Sequence, residues 1–508
     1  MSDQPRSVPD RPSLRYLKLE AKRRLAGGEF SALHEAQLAI AREHGMPSWA
    51  ALKRSIGADN EGHAVAQIRW VTSRFADAGD PEWTKPAEGE LREHFADGFL
   101  ERIPPAKLLG ILANRVAGVR EDLVVTGDTP QMARARVAGL QIYAAVETEP
   151  PHRLIGLRLE PVGSRVTDAR VGSPATNATG AVPAPVPGIA GEAVAELGLV
   201  GLVLAGGEPG GAVWATATGW ADLDRSEVLT PAIAFPAYQI TTLITSTAVL
   251  RLVADDRVGL DDPANSHLRT VRLADGSITV RDLLTHTSGV DGSATPFAER
   301  AGDLATLFGP VMSGNGERGT ARVTDGGYGA LGQMIADVTG QAYPDAVGRL
   351  VLEPLSMSDS WFPDRWPDRR PGSGTNAITG YDLTDGSFAR APERVGAVQA
   401  AAGLWATATD LVRFGLGWSA LLPAELAAEA LRPQVSLLPS PNHCGLGWMI
   451  SSTRGVGGMT GRGPGFNASL FVGLDRGEVN VALTNRRVMM ESVNGKVRVA
   501  TSSVSGDD

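Results

Sequence analysis

A multidomain α+β protein is what this 508-residue sequence predicts, on three observations. Residues 61–165 set helix-period segments ahead of four period-two runs. Residues 166–190 are rich in Pro, Gly, Ala and Ser, as in Val182-Pro-Ala-Pro-Val-Pro-Gly188, and read as a linker. Residues 191–490 are then long enough for one large domain with its own core. Residues 1–58 read as a small helical module, and 491–508 as a C-terminal tail.

Each element has a local reason. In the first module Leu14, Leu17, Ala21 and Leu25 share one helix face, and Gly27-Gly28 ends it. A second helix is expected from Ser31 to His44, and Pro47-Ser48-Trp49 opens a third. In the second unit Leu91, Phe95 and Phe99 recur at helical spacing, Pro104-Pro105 interrupts, and a further helix follows over Ala106–Ala117. The strand-like runs are Asp122–Thr126, Gln131–Val137, Leu140–Glu147 and His152–Leu159. Leu197–Ala205, the turn Gly206–Gly211 and Ala212–Thr218 read as a hairpin. That glycine-rich turn lacks a Lys-Ser/Thr ending, so it is not a phosphate loop.

Composition excludes several functions. The net charge of −9 argues against a nucleic-acid footprint, which needs a basic face. Cys444 is the only cysteine, so there is no intrachain disulfide and no Cys₄ or Cys₂His₂ zinc site. The eight histidines include no His-x-His or His-Glu-x-x-His pair, so no metal or other cofactor is expected. The most apolar stretch, Leu197–Ala205, is too short to span a bilayer, and the start Met-Ser-Asp-Gln-Pro-Arg-Ser has no apolar signal core. A cytoplasmic protein away from membranes is the expectation, with a protein partner available to the N-terminal module.

Residues 61–165, helices followed by a meander, resemble the α+β cone of the nuclear-transport-factor-2 (NTF2) or steroid-isomerase type. In that arrangement they are similar to the N-terminal domain of a β-lactamase-like protein of clavulanic-acid biosynthesis. The larger resemblance begins at Phe235-Pro-Ala-Tyr-Gln239-Ile-Thr-Thr242, followed by Thr247-Ala-Val-Leu250. It continues through Leu260-Asp-Asp-Pro263, Arg281–Gly289, Gly327–Gly332, Glu353–Met357, Gly445–Trp448 and Gly463-Pro-Gly-Phe466. In this order the segments resemble the serine β-lactamase-related, penicillin-binding-protein superfamily, whose fold is an antiparallel sheet flanked by helices.

The resemblance implies a Ser-x-x-Lys nucleophile and base on the helix after Phe235. Serine at i and lysine at i+3 share a helix face, so the amine reaches the hydroxyl. Here those positions are Gln239 and Thr242, and no lysine lies between Lys107 and Lys496. Lysine is scarce throughout, 6 of 48 basic residues, so the gap matters only because the motif falls inside it. The second family motif falls on Val323-Thr324-Asp325, or one residue later on Thr324-Asp325-Gly326. The third, normally Lys/His-Thr-Gly, falls on Met459-Thr460-Gly461, with Arg462 able to supply a charge or to fill the pocket. Backbone oxyanion donors are implied at Gln239 and about Arg462. His286 titrates near neutrality in water but sits in what the family pattern makes a structural turn.

Loss of nucleophile or base typically costs about 10⁴–10⁶ in turnover, because these groups act as a unit. The leading expectation is therefore a β-lactamase-related protein that has kept the fold and lost the Ser-x-x-Lys pair. It would act as a non-hydrolytic ligand-binding or interaction protein, toward a small ester, amide or lactam-like molecule. The alternative is a divergent hydrolase with a displaced nucleophile among Thr241, Thr242, Thr245, Ser246 and Thr324, and Asp325 as base. A third places the function in the 61–165 cone.

Overall fold

The computed structural model describes residues 33–43, 62–161 and 176–504, apart from short internal stretches such as 119–123, 367–377 and 438–441. Two compact units divide near residue 162. Of the first helical module, the helix α1 (Leu33–Glu43) lies within the described residues. The helices expected before Gly27 and after Pro47 lie outside them.

In the first unit α2 (His63–Phe75), α3 (Glu88–His94), α4 (Asp97–Arg102) and α5 (Pro105–Val116) accompany four strands. These are β1 (Val124–Thr129), β2 (Met132–Val137), β3 (Leu140–Val146) and β4 (Leu154–Pro161), an antiparallel meander in sequence order. Ala133, Ala135, Ile142, Ala144 and Val146 are buried with Ile68, Val71 and Phe75 of α2. The period-two face of the sheet thus meets the 3.6-period face of the helix.

The second unit is built on a ten-stranded sheet. Its labelled strands are β5 (Thr176–Thr179), β6 (Gly201–Gly207), β7 (Trp214–Asp222), β8 (Met449–Ser451), β9 (Val456–Gly463), β10 (Phe466–Gly473) and β11 (Val479–Thr484). Two short strands lead into β8, the order continues β8-β9-β10-β11-β6-β7-β5, antiparallel between neighbours, and the tenth strand, Glu227–Val228, pairs with β7 off this path. Closing the sheet therefore needs β6, early in the chain, beside β11, near its end.

One sheet face packs α7 (Thr241–Ala254), α8 (Asp325–Thr339) and α9 (Ala408–Gly417) into the main core. The other is covered by α6 (Pro185–Leu197) and α10 (Glu491–Val504), with Val186, Ala190, Met490, Val493 and Val497 buried. The linker at 166–190 supplies edge strand β5 and the first turn of α6, because proline suits the start of a helix and Val186 and Ala190 have a sheet to cover. The tail at 491–508 is helical through Val504 for the same reason. Gly198 ends α6 in the left-handed conformation, φ 59°, that a tight helix stop requires.

The helix α7 is buried on every side from Thr241 to Leu250. A run of threonines is a poor helix former in isolation. Here Thr247 Oγ1 donates back to Leu243 O at 2.8 Å, and Thr245 Oγ1 lies within reach of Thr241 O at 3.1 Å and Ala400 O at 2.6 Å, which satisfies hydroxyls that burial would leave stranded.

Candidate functional site

The site begins where the chain turns into α7. Phe235-Pro236 pairs with Trp405-Ala406, and a single 3₁₀ turn, Tyr238–Ile240, leads into the helix. Tyr238 has φ +45°, a left-handed conformation that costs an aromatic residue about 1–3 kcal/mol unless its surroundings hold it. They do: the ring is 1% exposed, meets Phe297 edge-on at 5.1 Å between centroids, and its hydroxyl donates to Pro464 O at 3.3 Å.

Strand β9 runs along this turn, and two glycines allow the approach. A Cβ on Gly461 would lie 2.1 Å from Ala237 O, and one on Gly463 would lie 2.3 Å from Tyr238 Cζ. The strand edge thereby reaches Gln239, whose Oε1 accepts the backbone N–H of Arg462 at 2.8 Å. Thr242 Oγ1 donates to Gln239 O at 2.8 Å and is 2% exposed. The first and third motif positions of the sequence are thus in direct contact. Met459 is buried in the main core, and Thr460 is half-buried.

The second motif is anchored elsewhere. Asp325 is the first residue of α8, and Thr324 Oγ1 donates to Val290 O at 2.8 Å. Gly292 packs against both, a Cβ there falling 2.9 Å from Asp325 Oδ1. Val323 is exposed.

The remaining hydroxyls expected as candidate nucleophiles lie inside the core. Thr241 Oγ1 accepts from Leu404 N at 3.1 Å. Thr245 Oγ1 meets Ala400 O at 2.6 Å and the Tyr343 hydroxyl at 2.7 Å. Ser246 Oγ is 2.9 Å from the Tyr328 hydroxyl, which reaches Leu284 O at 3.2 Å. All three residues are fully buried.

His286 also belongs to the core. It has φ +60°, stacks on the Tyr328 ring at 4.7 Å, and burial pushes its imidazole down to about 4. It is neutral at pH 7, its Nε2 buried without a hydrogen-bond partner. A lowered folded pKa means the unfolded chain binds the extra proton first. Its contribution to stability is therefore full above about 6.5 and is lost as pH falls toward about 4. His286→Asn, which tolerates positive φ and does not titrate, is expected to flatten that part of the profile. Urea midpoints at pH 7.5 and pH 5 check this, and an unchanged difference between the two proteins would refute it.

Sequence reasoning did not single out Tyr238 and Phe297, which set the turn. A positive φ and a contact across 59 residues leave no local signature. Among the described residues no group of three or more His, Cys, Asp or Glu is arranged to hold a metal ion, and no helix is long and apolar enough to cross a membrane.

The chain is similar to an esterase and to a putative penicillin-binding protein. Esterase EstB of Burkholderia gladioli is 31% identical over 205 residues, 35% of this chain and 51% of the esterase. The putative penicillin-binding protein PbpX of Bacillus subtilis (strain 168) is 23% identical over 254 residues, 49% of this chain and 61% of that protein. These matches thus span about half to three-fifths of the relatives' own lengths. Among solved structures, the D-amino acid amidase of Ochrobactrum anthropi SV3 has the same fold, with a TM-score of 0.54 at 22% identity, covering 63% of this chain and 98% of the amidase. Residues 187–502, more than half of the chain, match the family model described as Beta-lactamase, and the protein belongs to that family.

Proposed function

We propose that this protein is a beta-lactamase-family member that binds a small ester, amide or lactam-like ligand without hydrolysing it. The observation that carries the reading is Gln239. It stands at the head of α7, where the resemblance expects the nucleophile, and spends its carboxamide oxygen on the Arg462 N–H. A carboxamide has no nucleophilic oxygen at neutral pH, and the neighbouring Thr242 hydroxyl is neither basic nor turned outward. The ligand class is taken from the relatives, an esterase and an amidase by name.

The displaced-nucleophile alternative finds less support. Thr242, Thr245 and Thr324 each donate to a backbone carbonyl, and Thr241 and Ser246 are sealed in the core. For the first unit, helices on a four-stranded meander support an NTF2-like scaffold. A single buried cysteine, its thiol pushed up to about 12 by burial, suits a reducing cytoplasm.

Intact-mass spectrometry with a fluorophosphonate and a labelled penicillin tests the main reading. The parent is expected to stay unlabelled, while Gln239→Ser/Thr242→Lys acquires one adduct. A parent that labels stoichiometrically would sink the proposal.

A further inference from the structure

We infer that Gln239 is a resident mimic of an acylated nucleophile, so that the chain itself occupies the place a ligand carbonyl would take. This deepens the non-hydrolytic reading of the same site. A carbamoylated serine is Cβ–O–C(=O)–NH₂. Glutamine is Cβ–CH₂–C(=O)–NH₂, the same skeleton with the ester oxygen replaced by a methylene. In an acyl-enzyme the carbonyl oxygen is held by backbone N–H donors. In this protein Gln239 Oε1 is held by the backbone N–H of Arg462 at 2.8 Å.

The local backbone supports the same assignment. The Gln239 backbone nitrogen lies against Gly461, 3.1 Å from where a Cβ would stand, so the turn and the strand edge pack directly on each other at the residue whose carboxamide meets Arg462. The left-handed Tyr238 just before it is held in place by Phe297 and Pro464. A position whose chemistry had merely decayed would place no demand on which side chain fills it. Glutamine reproduces both the length and the acceptor of the acylated residue, whereas leucine or methionine would leave the Arg462 N–H facing an apolar group.

The consequence is a change in what the pocket admits. An ester or amide ligand cannot set its own carbonyl on the Arg462 N–H while Gln239 is there. It binds beside the carboxamide, in a site already shaped as if acylation had occurred. Removing the side chain reopens the donor to small carboxamides.

Propionamide, which has the atoms of the glutamine side chain capped by hydrogen, is the probe. Arginine-selective ¹⁵N labelling of the full chain follows the Arg462 amide, with Gln239→Gly as the emptied variant. In the parent the Arg462 amide is expected to exchange slowly and to ignore 50 mM propionamide. In Gln239→Gly it should exchange at least tenfold faster, and propionamide should restore protection and raise Tm. Gln239→Met, equal in length but without the acceptor, should also exchange faster, and it supplies the readout if the glycine variant does not fold. The inference is overturned if neither variant alters Arg462 exchange, or if propionamide shifts the parent as much as the variant. These outcomes are independent of covalent labelling. A parent that acylates would defeat the proposed function without touching Arg462 protection, and an Arg462 indifferent to residue 239 would defeat only this inference.

Discussion

Asp222→Ala is expected to lower stability by roughly 3 kcal/mol or more, among the largest effects of any single substitution in the second unit. The carboxylate is 1% exposed at the end of β7. It accepts from Arg390 Nη2 at 2.9 Å, Thr379 Oγ1 at 2.9 Å, Asp224 N at 2.9 Å, Arg225 N at 3.2 Å and the Tyr381 hydroxyl at 3.3 Å. These bonds tie the sheet to the Tyr381–Arg390 hairpin. Truncation strands the buried Tyr381 hydroxyl and removes the acceptor of the half-buried Thr379, while Arg390 is exposed enough to turn to water. Burial alone would push the Asp222 carboxyl up, but Thr379, the Arg225 and Asp224 N–H groups and Arg390 together hold it below its ordinary value. The contribution is therefore present at pH values above the unfolded Asp range and is lost as pH falls through the lower folded value. Urea unfolding at pH 7 measures the effect, with Asp224→Ala as the exposed control, expected to cost under about 1 kcal/mol. A loss at Asp222 no greater than at Asp224 would show that the network contributes nothing beyond a surface pair.

Gly461→Ala is expected to cost about 3 kcal/mol and to disrupt the site itself. The new methyl would lie 2.1 Å from Ala237 O and 3.0 Å from Ala237 C, backbone atoms with no rotamer to escape into. Either β9 or the Tyr238–Ile240 turn must move, and both carry the Arg462–Gln239 bond. The substitution should therefore lower Tm and speed Arg462 exchange together. Gly188→Ala in α6 is the counterpart: nothing lies within 4 Å of its added Cβ, and helix propensity alone should stabilise by about 0.5–1 kcal/mol. Equal and small effects at the two glycines in thermal unfolding would mean the strand and the turn are not in contact.

Much of the fold was legible in the residues. The meander of the first unit follows its period-two alternation, with β2 and β3 starting and ending within a residue of the runs expected for them. In the second unit the ordered short segments carried the family resemblance, because turns such as Gly463-Pro-Gly-Phe466 must keep glycine where backbones approach. Composition misled at 166–190 and 491–508. A Pro- and Ala-rich stretch and a polar C-terminal stretch look unstructured until a sheet face stands ready to bury Val186, Val493 and Val497.

The candidate site was legible as positions and not as geometry. Gln239, Thr242 and Met459 in motif places were visible as departures from a pattern. That the Gln239 oxygen meets the Arg462 N–H was not, since the two residues are 223 apart and joined only by the packing of β9 on the turn. Likewise Ser246 and Thr245 looked like available hydroxyls until burial against Tyr328, Tyr343 and Ala400 assigned them to the core.

By itself, then, the sequence determined which chemical groups stand at Gln239, Thr242 and Met459, the positions to which the resemblance points: a carboxamide, a hydroxyl and a thioether. Side-chain chemistry is a local property, and no fold alters it. Only the tertiary structure decided what those groups do. Whether a carboxamide is idle or fills a donor's place depends on which backbone N–H is brought within 3 Å of it. That distance is set by two glycines on one strand and a strained tyrosine on another segment.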